Sequence, residues 1–465
     1  MSPNLRENAQ VSSEQGSAGA DSGRSVLPGG SVGRSVRLAA LPAAYAGRAA
    51  LNLGKRVTGQ SADELAADMR QRTAEQMFAV LGELKGGAMK LGQAMSIFEA
   101  VLPEEIAGPY RDTLVKLQDA APPLPMSSIE RILSDELGTD WRQRFAEFDE
   151  RPAAAASIGQ VHRAAWRDGR VVAVKVQYPG ADRALMSDLN QMARMGKLFA
   201  AWVPGLEIKP LINELRDRVA EELDYLLESN RQRTFAVAFE GDPDIQIPHV
   251  LAASPHVLIS EWVDGTPLSA IIADGTQAER DFAGTRYERF LLSAPARAGL
   301  LHADPHPGNF RITADGRLCV LDFGAVAELP DGLPTAMGRL LRIAQDGDAS
   351  TVIEGLRVEG FIRPHIDVDP QQVLDYLDPF VEPARHEQFT FSREWLRGQF
   401  NRINDIRNPD FTIGLKLNLP PAYALIHRVW LGSIGVLCQM GATVPVRAEV
   451  ERWVPGYVTV PDPAA

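Results

Sequence analysis

One cluster constrains this chain more than any other: His302-Ala-Asp304-Pro-His-Pro-Gly-Asn309, followed after thirteen positions by Asp322-Phe323-Gly324. A carboxylate is followed five residues on by an amide, and then by a second carboxylate heading a DFG triplet, with short β runs at Phe310 to Ile312 and Leu318 to Leu321 between them. This is the spacing in which one Asp orients a phosphate acceptor, an Asn binds metal and a second Asp binds Mg²⁺. The chemistry requires those residue types, because a γ-phosphoryl group in transfer carries charge that oxygen-ligated Mg²⁺ and a positioned base must stabilise. A lone HxD or DFG arises easily by chance; the two in order at this distance do not. Asp304 is thus the candidate catalytic residue, and Asn309 and Asp322 are the candidate metal ligands.

Upstream, β-rich runs at Ser157 to Trp166 and Arg170 to Gln177 flank the turn Arg167-Asp168-Gly169 and read as a hairpin. Its second strand carries Val172-Ala-Val-Lys175, the pattern of a strand lysine that holds α and β phosphates. Just before it, Ala154-Ala155-Ala156-Ser157-Ile158-Gly159-Gln160-Val161 overlays GxGxxGxV with Ala154 and Ala156 in place of the first two glycines. Alanine disfavours positive φ, so this loop is expected to approach phosphates less freely than a glycine loop. Ala154, Ala155, Ala156, Ser157, Gly159, Val161 and Lys175 form the expected phosphate side of the nucleotide site. Val257-Leu-Ile-Ser260-Glu261-Trp262-Val263 reads as a strand entering an interlobe hinge, with Ser260 at the gatekeeper place. Glu261 and Val263 would offer backbone groups to adenine, and Trp262 would pack. His306, between two prolines, reads as a residue that shapes the loop.

With 465 residues the chain has room for a two-lobed enzyme with additions. The order of patterns predicts an α+β protein: a disordered tail over 1–35, a helical extension over 36–125, a small β-rich lobe with inserted helices over 126–265, and a helical lobe over 266–465. Helical patterns run from Asp182 to Ala201 and from Lys209 to Phe239, and strands return at His249 to Ala252 and His256 to Trp262. A net charge of −12 disfavours nucleic acid as a partner. That charge is segregated, since six basic residues and no acid lie between Ser22 and Gln60. The small-residue segment beginning at Leu38 fits either a helix lying on an anionic bilayer or one packed on the next domain. Val429 to Val446 is too short and too interrupted by Ser433, Gln439 and Thr443 for a membrane span and reads as a buried helix. Cys319 and Cys438 have neither zinc-site spacing nor a disulfide framework, which suits a reducing cytoplasm.

Together these landmarks resemble the UbiB/ADCK group of atypical kinase-like proteins of isoprenoid-quinone biology (the AarF/UbiB type), over roughly Ala74 to Tyr457. The further residues that carry the resemblance are Lys90-Leu-Gly92-Gln93, a KxGQ motif in the extension, and Glu222-Leu-Asp224-Tyr-Leu-Leu-Glu228. The resemblance implies that Glu228 pairs with Lys175 and that both join Asp304 in the catalytic set, although Glu228 lies much further along the chain than its counterpart in an ordinary kinase. It also implies that Lys90 and Gln93 form a lid over the active site, with Lys90 against Glu222 and Asp224. The implied fold is an atypical protein-kinase-like two-lobed fold, and the implied ligands are ATP or ADP with Mg²⁺. The implied activity is that of an atypical kinase-like ATPase or phosphotransferase rather than a protein kinase acting in trans. It would support isoprenoid-quinone or other lipid metabolism, in the cytoplasm or peripherally on the inner face of the membrane, with lipid- or quinone-pathway proteins as partners. Two other readings stand beside it. A small-molecule phosphotransferase would share HxDxHxxN and the following Asp, and a pseudokinase-like module would use nucleotide to switch shape and hold a partner. No APE motif follows Asp322, and Ala325 to Thr335 offers no evident phosphosite.

Overall fold

The computed structural model describes residues 124–156, 158–180, 221, 223–404, 413–414 and 416–458. The expected tail, the extension as far as residue 123, and the helical patterns between residues 181 and 220 lie outside these residues. So do Lys90, Gln93, Ser157 and Glu222.

The chain enters through helix α1 (Met126–Leu137) and builds a sheet from β1 (Phe145–Phe148), β2 (Ala154–Ala156), β3 (Gly159–Trp166) and β4 (Val171–Gln177). Helix α2 (Tyr225–Ala238) follows, then β5 (Ile245–Gln246) on the other lobe, and β6 (Val250–Ala253) and β7 (Val257–Glu261) complete the first sheet. Its order is β1-β3-β4-β7-β6, with β2 also on β3 and every pairing antiparallel. Side chains alternate across a strand. On β4 this buries Val172, Val174 and Val176 completely, against Ile129 and Leu133 of α1. Each such side chain contributes about 1.5–3 kcal/mol by leaving water. The same alternation turns Lys175 to the opposite face, toward the rest of the molecule.

Beyond β7, the chain passes through β8 (Thr266–Pro267) and α3 (Leu268–Asp274) into the 22-residue helix α4 (Gln277–Ala298). A capping box fixes the start of α4: Thr276 accepts from the Glu279 N–H, and the Glu279 carboxylate accepts from the Thr276 N–H. Phe290, Tyr287 and Leu291 of α4 lie in the large core of this lobe with Phe310, Phe323 and the C-terminal helices. Four short strands follow: β9 (Leu300–His302), β10 (Phe310–Ile312), β11 (Leu318–Val320) and β12 (Val326–Glu328). β9 pairs with β12, and β10 with β11, all antiparallel. This clasp places the segment 303–309 and the triplet 322–324 side by side. The rest is helical: α5 (Thr335–Asp346), α6 (Ala349–Val358), α7 (Pro370–Arg385), α8 (Arg393–Asn404), α9 (Pro421–Met440) and α10 (Val446–Trp453), with β13 (Phe389–Thr390) paired to β14 (Thr443–Val444).

Two expected helices change at their ends. The pattern to Phe239 is broken at Asp224, which is extended and caps α2 by accepting from the N–H groups of Leu226 and Leu227. The apolar stretch beginning at Val429 is the second half of α9, and Gly441, at φ 65°, ends that helix before β14. Among the described residues, no helix is long and apolar enough to cross a membrane. Both cysteines are buried and free, and burial pushes the Cys319 thiol up to about 12. On α4, Glu288 is also buried, and its Oε2 meets no partner, beside a cavity of about 40 Å³ that Leu291, Trp430 and Ser433 help to line. Burial and the nearby Glu449 push its carboxyl up to about 8.

Candidate active site

Lys175 and Glu228, 53 residues apart, meet between β4 and α2, with Nζ donating to Oε1 at 2.7 Å and to Oε2 at 2.9 Å. The Asp322 carboxylate lies 3.6 Å from the same nitrogen. The Tyr225 ring packs with its centroid 5.0 Å from the ammonium. Burial would by itself lower the Lys175 pKa, but the Asp322 and Glu228 carboxylates outweigh it and hold it well above its ordinary value. Lys175 is therefore a fixed cation. Burial pushes the Glu228 carboxyl upward, opposed by Lys175 and by a hydrogen bond from the Phe323 N–H.

The segment between β9 and β10 carries Asp304 and Asn309. The Asn309 side-chain amide donates to Asp304 Oδ2 at 3.0 Å and to the Asp304 carbonyl at 3.3 Å. Only the NH₂ group can donate to a carboxylate, so this bond fixes the amide and leaves Oδ1 as the atom suited to a cation. Tyr287 on α4 holds the loop from below by donating to the Pro305 carbonyl at 2.7 Å. His306 shapes the 3₁₀ turn Pro307–Asn309 by accepting from the Gly308 N–H.

Asp322 has φ 58°, and it is the only non-glycine residue with positive φ among the described residues. Its Oδ1 accepts from the Gly324 N–H at 3.1 Å. Its carbonyl accepts from His302 Nε2 at 2.8 Å. Burial pushes the His302 imidazole pKa down, so the ring is neutral and its proton is on Nε2. Phe323 is fully buried against Phe235 of α2 and against His302.

The alanine-rich loop is a β-hairpin. Ala154 pairs with Val161, Ala155 with Gln160 and Ala156 with Gly159. None of the three alanines has positive φ, so a Cβ costs nothing in this conformation. Gly159 is required for a different reason: a Cβ there would lie 2.3 Å from the Val176 carbonyl oxygen on β4. At the hinge, the Glu261 N–H donates to the His249 carbonyl, and its carboxylate accepts from the His249 N–H. The Glu261 backbone N–H is thus already engaged within the sheet. Trp262 donates to Asp264 and lies under Arg163, a packing role.

Lys175, Glu228 and Asp322 meet through their side chains, and the Asp304–Asn309 pair is tied to the segment carrying Asp322 by the Leu321 N–H, which donates to the Asn309 carbonyl, while Ala154, Ala156, Gly159 and Val161 lie on the hairpin whose Val161 pairs with Lys175. Asp224 sits at the start of α2 as its cap; Lys90, Gln93, Glu222 and Ser157 lie outside the described residues. Sequence reasoning assigned no role to His302, Tyr225 or Arg231. His302 stands in the quoted motif, but Arg231 has no local signal at all. The donor set fits Mg²⁺ and a nucleotide, since Asn309 Oδ1 and the Asp322 carboxylate are hard oxygen donors and Lys175 is a buried cation for phosphate. Among the described residues, no group of three or more His, Cys, Asp or Glu could hold a metal alone. Mg²⁺ commonly completes its shell with waters and substrate phosphates.

A sheet lobe presenting a Lys–Glu pair to a helical lobe with an Asp–Asn loop and a DFG triplet defines a kinase-like protein of α+β class. The chain belongs to the ABC1 atypical kinase-like family, also called UbiB, whose domain model matches residues 116–356. It is similar to the mitochondrial atypical kinase coq-8 of Caenorhabditis elegans, at 28% identity over 92% of this chain and 56% of the relative. It is also similar to the chloroplastic Protein ACTIVITY OF BC1 COMPLEX KINASE 3 of Arabidopsis thaliana, at 32% identity over 82% of this chain and 52% of that protein. The chain spans about half the length of the curated relatives first matched. Among solved structures, Rv3197 of Mycobacterium tuberculosis in complex with erythromycin is 43% identical, with a TM-score of 0.67 covering 85% of this chain and 99% of that one.

Proposed function

We propose that this protein binds Mg²⁺ with ATP or ADP and acts as an atypical kinase-like ATPase or phosphotransferase supporting isoprenoid-quinone or other lipid metabolism at a membrane surface. The observation that carries the reading is the Lys175–Glu228 pair, with Asp322 3.6 Å from the same ammonium. Lys175 holds a permanent positive charge for α and β phosphates, and Glu228 keeps it aimed. Asn309 and Asp322 would hold Mg²⁺, which when bound neutralises phosphate charge as the phosphoryl group moves. Asp304, tied to Asn309, accepts the proton of the attacking hydroxyl or water. The hairpin Ala154 to Val161 covers the phosphates as ordered β structure, while Glu261 and Val263 serve adenine through their backbones. Lys90 and Gln93 of the extension close over the cleft, with Glu222 and Asp224 beside Lys90. The quinone-pathway role draws on relatives named COQ8. The basic segment 22–60 supports a peripheral place on the inner, cytoplasmic face of a membrane, and the overall acidity argues against nucleic acid.

The test is phosphate release from Mg²⁺–ATP by the full chain, with and without anionic liposomes, beside Asp304→Asn. Release that rises with liposomes and is lost in the variant is expected. Nucleotide binding without release under either condition would favour the nucleotide-switched binding module. A second reading, the small-molecule phosphotransferase, gains support from the relative solved with erythromycin. ATP turnover that depends on added macrolide and not on lipid would select it.

A further inference from the structure

The helix that presents Glu228 to Lys175 makes a second contact with the DFG triplet. Arg231 lies three residues after Glu228, on the same side of α2. It is only 7% exposed. Its Nη1 donates to the Gly324 carbonyl at 3.1 Å, across 93 residues of sequence, and its Nη2 donates to Glu221 Oε2 at 2.9 Å. The triplet is therefore pinned at each residue. His302 holds the Asp322 carbonyl, Glu228 takes the Phe323 N–H, the Gly324 N–H closes on Asp322 Oδ1, and Arg231 holds the Gly324 carbonyl. Gly324 has the widest backbone freedom of the three. Its two peptide groups must nevertheless stay in register, because its own N–H aims the Asp322 carboxylate. Arg231 donates to the carbonyl on the far side of that glycine.

We propose that Arg231 is a positioning residue, which orients the Asp322 carboxylate for a divalent cation by anchoring the Gly324 carbonyl to the helix that carries Glu228. It touches neither nucleotide nor metal. The role rests on the reading of Asp322 as a metal ligand given under the proposed function. It couples α2 to the metal site, so a displacement of the helix that frees Lys175 also releases Gly324. Glu221 steadies the guanidinium from outside the triplet.

The experiment measures ATP affinity of the full chain with Mg²⁺ and with EDTA, for wild type, Arg231→Met, Arg231→Lys and Glu221→Gln. Methionine keeps the buried bulk and removes the donors. For wild type, Mg²⁺ should tighten ATP binding. Arg231→Met should lose at least tenfold of that tightening, with the EDTA affinity changed less than twofold. Arg231→Lys, which keeps one donor for the Gly324 carbonyl, should recover most of the loss, and Glu221→Gln should stay within about threefold of wild type. Equal weakening in both arms, as from a residue that merely supports the fold, would overturn the proposal, and so would an intact Mg²⁺ effect in Arg231→Met. Should the methionine variant fail to fold, Arg231→Gln, whose shorter side chain falls short of the Gly324 carbonyl, decides: a loss confined to the Mg²⁺ arm supports the role, and an equal loss in both arms or none refutes it. A wild-type chain whose ATP affinity ignores Mg²⁺ would instead overturn the metal reading of Asp322, a different failure visible before any variant is made.

Discussion

The two sides of the cleft are held by different means. On the sheet side, Lys175 is aimed by strand alternation: the three valines that pack against α1 leave it no other face. On the loop side, Asp304 and Asp322 are aimed by bonds to particular backbone and side-chain groups from Asn309, His302 and Gly324. The first arrangement is distributed over a core, and the second depends on single contacts. A pattern of burial tolerates local loss, whereas a chain of hydrogen bonds fails at its weakest member.

Four measurements would break or sharpen that contrast. The largest effect belongs to the loop side. Asp304→Asn should lower phosphoryl turnover by ~10²–10⁴-fold, the usual contribution of a positioned base, with little change in melting temperature. A similar loss of melting temperature would make Asp304 a structural residue. Next is the pair between β4 and α2. Glu228→Gln removes one of the two carboxylates beside the buried Lys175 ammonium, leaving Asp322 at 3.6 Å, and should cost up to about 3 kcal/mol in urea unfolding. The double variant Lys175→Met, Glu228→Leu should recover most of that stability while nucleotide binding stays lost.

A smaller effect is expected within the sheet. Gly159→Ala drives a Cβ into the Val176 carbonyl and should cost about 1–3 kcal/mol through a shift of β3 on β4. Unchanged stability would mean that the two strands separate freely. The smallest effect per step is a control far from the cleft. The folded-state pKa of Glu288, about 8, lies above its ordinary value of 4.5, so between those values the native state holds a proton that the unfolded state has lost. Stability should therefore fall as pH rises through this window, by about 1.4 kcal/mol per unit from this group. Glu288→Gln should remove that slope without altering nucleotide binding.

The legibility of the molecule follows the same division. Strands β3 and β4 could be read because alternation is a local signal, and Asp304, Asn309 and Asp322 because their spacing is short and rigid. Nothing local places Glu228, since a separation of 53 positions from Lys175 carries no periodicity linking them; family resemblance supplied the pairing. The break at Asp224 was hidden because Glu222 to Glu228 fits a helical pattern throughout, and only the cap geometry separates the two parts. The pair of β9 and β12 is not legible because the long segment 303–325 separates the two strands, whereas β10 and β11, equally short, flank a single turn. Arg231 was invisible for a related reason: a side chain that bonds a carbonyl 93 residues away obeys no period.

The Lys175–Glu228 pair also bears on covalent chemistry. A lysine attacks an acylating reagent only through the lone pair of its neutral amine, and an ammonium held between two carboxylates keeps that lone pair on a proton. At pH 8–9, where exposed lysines react readily, Lys175 should stay unlabelled while the pair is intact. Its acylation would then report the opening of α2 away from β4, giving a chemical readout of the cleft that needs neither a known substrate nor turnover.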